Sequence, residues 1–144
     1  MGKKRERKGF TLIELMVVIL IVGILAVVAI PLMRGRIDSA KWSEGKAMMG
    51  TLATSIRAYA AEKSTAADVA AINGAFAIWG TKLGFLAADF DGTYFATSNF
   101  TISNATYVPA TGVVAFTVTA TKGTGINSPS EVTLNQDGTW GETP

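Results

Sequence analysis

From Phe10 to Met33 the chain runs for 24 residues with Glu14 as its only ionisable side chain. Such a run, coiled as a helix at 1.5 Å per residue, is about 36 Å long, enough to span a hydrocarbon core of about 30 Å with some tilt. Beyond it the pattern becomes amphipathic. Ile37, Met48, Met49, Leu52, Ile56 and Tyr59 recur at helical offsets, with Lys41, Glu44, Lys46, Arg57 and Lys63 interspersed. This predicts that one helix continues to about Glu62 with its apolar stripe on a sheet, although Gly45 and Gly50 weaken the helical preference locally.

Residues 64–99 are rich in alanine and glycine, with short helical patches at Ala66–Ile72 and Gly80–Ala88. They read as a connection between helix and sheet. Strand signals follow. NFTISNATY alternates at its start, GVVAFTVTATK places Val114, Phe116 and Val118 on one face, and SEVTLNQDGTW turns at Asp137-Gly138 into Thr139-Trp140. The expected class is α+β, a long N-terminal helix on a small antiparallel sheet of three or four strands. The expected divisions are residues 1–9, 10–33, 34–63 and 64–144.

Charge sharpens this reading. The first nine residues, MGKKRERKG, hold five of the thirteen Lys/Arg and one of the eleven acidic residues, so eight basic and ten acidic side chains remain after them. A basic flank before a single span predicts a cytoplasmic N-terminus and an exported remainder, which Arg34 and Arg36 weaken without reversing. The apolar run is too long for a secretory signal, and AVVAIPLMRG is a poor cleavage context. The slightly acidic body argues against nucleic acid as a partner. The chain has no cysteine and no histidine, so thiol chemistry and histidine acid–base catalysis are absent. No nucleophile–base pair stands out, and the expectation is a non-enzyme without a cofactor.

A plain membrane anchor does not explain a carboxylate at Glu14, Thr11, or the glycine that closes the basic leader. The stretch KGFTLIELMVVILIVGILAVVAIP resembles the N-terminus of type IV pilins and type II secretion pseudopilins. The family pattern is a basic leader ending in glycine, then Phe-Thr-Leu-Ile-Glu-Leu, then an apolar helix with a proline near its end. Gly9, Phe10, Thr11, Leu12, Ile13, Glu14, Leu15 and Pro31 match it. The match covers roughly the first 40 residues. The other hundred carry no recognised motif.

The resemblance implies cleavage by prepilin peptidase between Gly9 and Phe10, N-methylation of Phe10, and a mature chain of 135 of the 144 residues. A peptidase needs close access to the backbone, which glycine allows. The resemblance further implies that Glu14 neutralises the new amine of a neighbouring subunit, with Thr11, Leu12, Ile13 and Leu15 in the same assembly surface. Partners would be further copies of the chain in a helical homopolymer, the inner membrane, the peptidase, an assembly platform and its ATPase. Pro31 lacks the N–H that would reach the carbonyl of Val27, so a bend is expected there, with Gly23 a second weak point.

Two functions fit: a type IV pilin in an extracellular pilus, or a pseudopilin in a periplasmic piston for protein export. A membrane-anchored binding domain is the remote alternative. Some pseudopilins bind calcium, and Asp89, Asp91 and Gly92 resemble a fragment of a calcium loop. The further ligands such a loop needs are missing, so an Asp-Gly turn or cap is the preferred reading and no metal is assigned. Asn99-Phe-Thr101 and Asn104-Ala-Thr106 fit the glycosylation sequon, a triplet that often arises by chance. Many pilins close their C-terminal region with a disulfide, which this chain cannot form.

Overall fold

The computed structural model describes residues 9–63 and 65–144; the basic leader at residues 1–8 lies outside the described residues. Helix α1 runs Leu12–Lys63 with Pro31 inside it, so the helical backbone continues through both Gly23 and Pro31. It contributes to two compact units, one ending at Arg36 and the other comprising Ile37–Pro144. In the first unit no described residue is buried, and Ala26 alone is half-buried.

The second unit is an α+β domain. After α1 come α2 (Ala66–Ala70), β1 (Gly74–Ala75) and α3 (Phe76–Leu83). Four longer strands follow: β2 (Phe100–Val108), β3 (Val113–Thr121), β4 (Glu131–Asn135) and β5 (Trp140–Thr143). The sheet is an antiparallel meander in the order β1-β2-β3-β4-β5. The fifth strand, beyond the three or four expected, is β1. It is a two-residue segment held by Gly74 opposite Ile102 and Ala75 opposite Thr101. So short a strand leaves no alternating pattern to read.

The expected hairpin at Asp137-Gly138 is present. Asn135 O accepts from Gly138 N at 3.0 Å, and Asn135 N donates to Thr139 O at 3.1 Å. Gly138 takes φ 79°, left-handed backbone that glycine adopts without strain. The helical patch expected at Gly80–Ala88 is displaced to Phe76–Leu83, because Gly84 at φ 79° ends the helix, where Gly84 N donates back to Thr81 O and Phe85 N to Gly80 O. The patch at Ala66–Ile72 is shorter than expected, with Thr65 capping α2 through Asp68 N at 3.2 Å.

The stripe on α1 needs one correction. Ile37 is exposed, while Met49, Leu52 and Ile56 are buried and Met48 and Tyr59 pack partly against the core. The buried face also includes Asp38, Trp42, Gly45, Ala53 and Ala60, spaced by three and four residues. Opposite it stand Phe100, Ile102, Phe116, Val118, Ala120, Val132 and Leu134 of the sheet. The connecting region contributes more than a link: Val69, Ile72, Trp79, Phe90 and Phe95 are all in the core. Ring contacts chain Trp79 to Phe90 at 5.4 Å, Phe90 to Phe100 at 5.4 Å and Phe95 to Trp42 at 5.0 Å. Each large side chain removed from water there contributes about 1.5–3 kcal/mol.

Candidate assembly site

The first amides of a helix lack partners within it. At the start of α1, Thr11 and Glu14 supply them reciprocally. The Thr11 hydroxyl accepts from Glu14 N at 3.3 Å, and Glu14 Oε2 accepts from Thr11 N at 2.7 Å and from the Thr11 hydroxyl at 2.7 Å. This is a capping box, Thr-x-x-Glu directly before an apolar run. The sequence reading missed it, although the spacing alone was a sufficient signal. Both bonds fall on Oε2, and Glu14 Oε1 has no hydrogen bond among the described residues. The positive end of the helix dipole favours a carboxylate at this position.

Around this box the apolar surface is open. Phe10 is 84% exposed, and Leu12, Ile13 and Leu15 are exposed beside it. The N-terminal part of α1 is long and apolar enough to cross a membrane, and none of that stretch is buried. An apolar surface of this extent marks a lipid or protein contact. Gly9 is exposed, and a Cβ built on it, or on Gly23, would meet nothing within 4 Å.

The two weak metal candidates sit elsewhere. Asp89 Oδ2 accepts from Leu86 N at 2.8 Å, capping the short 3-10 turn Ala87–Phe90, and Asp91 follows that turn on the surface. Among the described residues no three acidic side chains are placed to hold a metal ion. Asn99 is occupied, accepting from Ala96 N at 2.9 Å and donating to Lys122 O at 3.2 Å. Asn104 lies exposed at a bulge in β2.

Two carboxylates, Asp38 and Glu44, fasten loops to α1, a role that helical spacing did not suggest. Glu44 Oε1 accepts from Tyr94 N at 2.9 Å and Phe95 N at 3.1 Å. Asp38 Oδ2, buried, accepts from Asn127 N at 3.2 Å and Ser128 N at 3.4 Å. Their partners are 50 to 90 residues away, so no local pattern announces them.

The family described as the prokaryotic N-terminal methylation motif matches residues 4–30. A fimbrial protein of Moraxella nonliquefaciens is 48% identical over 69 residues, 43% of this chain and 45% of that protein. Type II secretion system core protein G of Pseudomonas aeruginosa is 40% identical over 57 residues, 40% of each chain. The type IV major pilin protein PilA of Myxococcus xanthus is 42% identical over 65 residues, 45% of this chain and 30% of that protein. The chain thus spans less than half the length of these relatives. No solved structure matches it. The chain carries the prokaryotic N-terminal methylation motif and, over part of its length, is similar to a fimbrial protein, a type IV major pilin and a type II secretion core protein.

Proposed function

We propose that the protein is a structural subunit, not an enzyme, of a type IV pilus-like filament. It waits in the inner membrane as a single span, N-terminus cytoplasmic, with residues 34–144 exported. Prepilin peptidase hydrolyses the Gly9–Phe10 bond, and the Phe10 amine is methylated. A platform and its ATPase then draw the chain into a helical homopolymer built on α1.

The carrying observation is the arrangement at the start of α1: an exposed apolar surface led by a carboxylate with one oxygen bonded and the other without a hydrogen bond among the described residues. The capping bonds involve Thr11, which cleavage leaves in place. Glu14 Oε1 is thereby available to the ammonium of a neighbouring Phe10. A lone charge in an apolar environment is costly, and pairing it on assembly converts that cost into register between subunits. The apolar surface passes from lipid to filament core, both apolar, so packing rather than dehydration drives the transfer. Gly23 and Pro31 are where the helix yields most easily during that step.

A surface pilus is favoured by the fimbrial and pilin relatives. The relation to secretion protein G supports a second reading, a periplasmic pseudopilus for protein export. Intact-mass spectrometry of sheared surface material and washed inner membrane separates them. A chain beginning at Phe10 with one added methyl, abundant in the sheared fraction, is expected. The same mass confined to the envelope selects the pseudopilus. A chain still beginning at Met1 in both fractions overturns processing altogether.

A further inference from the structure

Two exposed patches lie toward opposite ends of strand β2. At one end the Phe90 ring sits 5.4 Å from Phe100, the first residue of the strand, and Phe85 packs 5.0 Å from Phe90. This anchors the surface segment Leu86–Asp91. There Leu86 projects at 72% exposure, and Asp89 and Asp91 are the only charges between Lys82 and Lys122. The segment therefore presents an apolar knob whose own charges, Asp89 and Asp91, are both acidic.

At the other end lies an open cleft of about 530 Å³ between the last turns of α1 and the β2–β3 hairpin, lined by Arg57, Ala60, Ala61, Tyr107, Gly112 and Val114. Val108 and Val113 stand exposed on that hairpin. Apart from Tyr107 and Arg57 its lining is small or aliphatic, and Arg57 is the only charge among the described residues that line it. The guanidinium is held in place by a 2.9 Å bond to Gln136 O and by the Phe116 ring 5.3 Å away. That bond uses one of five N–H donors. From Phe100 to Tyr107 the strand covers about 23 Å at 3.3 Å per residue, so the knob and cleft of one head do not meet.

We propose that the knob of one copy seats in the cleft of the next, Leu86 among Tyr107, Val113 and Val114, and Asp91 toward Arg57. This rests on the filament reading above. The occupant is a second copy because both halves, one apolar with acidic charge and the other apolar with Arg57, are present on this chain. A contact between different patches at opposite ends of a head is heterologous. Unlike a two-fold contact it leaves a free patch on each end copy, so in a filament it propagates from copy to copy along the helix.

The chain has no cysteine, which makes the test clean. Full-length Leu86→Cys/Val113→Cys filaments are sheared, oxidised and run without reductant. The expected result is a ladder extending beyond dimer, with each single variant stopping at dimer. Intrachain bridging is out of reach, since a disulfide needs Cα atoms within about 7 Å. Assembled filaments of the double variant that stay monomeric after oxidation overturn the proposal. If the double variant does not assemble, Leu86→Asp decides. Its site is exposed, so it should yield the processed, protease-resistant chain in the membrane without filaments, and normal filaments from it overturn the contact. Failure of wild-type chain to assemble at all would instead sink the filament reading.

Discussion

Glu14 and Thr11 close a reciprocal cap, with Glu14 Oε2 2.7 Å from the Thr11 amide nitrogen. The same carboxylate is thus both a local cap and the candidate partner of a neighbouring amine. The two roles separate by substitution. Glutamine at this position keeps a capping acceptor but loses the charge. If charge pairing drives assembly, Glu14→Gln inserts and is cleaved normally yet assembles as poorly as Glu14→Ala. Normal filament yield from Glu14→Gln would assign the role to the cap instead. Thr11→Ala, which keeps the charge, should retain more filaments than either.

Glu44 ties the segment around Tyr94 to α1 through two backbone amides. Glu44→Ala leaves those donors unpaired in a half-buried setting, at about 1–3 kcal/mol. Thermal unfolding of the full chain in detergent, followed by near-ultraviolet circular dichroism, should show a lower midpoint. An unchanged midpoint would mean that water replaces the carboxylate at no cost.

Two glycines in α1 should answer oppositely to the same methyl. A Cβ on Gly45 would meet the Phe95 ring at 2.7 Å, whereas one on Gly50 meets nothing within 4 Å. Gly45→Ala is expected to lose about 1–3 kcal/mol by overpacking. Gly50→Ala is expected to gain about 0.5–1 kcal/mol, since it removes only the flexibility of an interior helical glycine. Equal effects in the same unfolding assay would contradict the close approach of α1 to Phe95.

At the β2 bulge Asn104 has φ 54°. Asn104→Ala places a less tolerant side chain in left-handed backbone and should cost about 1–2 kcal/mol. Asn104→Gly should be near neutral or stabilising. If alanine is tolerated as well as glycine, the bulge relaxes its backbone and the local conformation is not demanded by the sheet.

The methylation-motif segment, the apolar span and the succession of helix and strands were legible in the sequence. Each depends on short-range periodicity, or on a motif whose residues are neighbours in the chain. The Thr11–Glu14 box belonged in that class and was overlooked. The burial of Met49, Leu52 and Ile56 followed from helical spacing, whereas the exposure of Ile37 did not, because spacing does not say where the partner surface ends. Tertiary structure alone decided that the supposed connection supplies Trp79, Phe90 and Phe95 to the core. It alone made Gly74–Ala75 a strand and gave Asp38 and Glu44 their distant loops to hold. These outcomes depend on which surfaces meet across 25 to 90 residues of chain, and a polar side chain's partner at that separation leaves no trace in its local pattern.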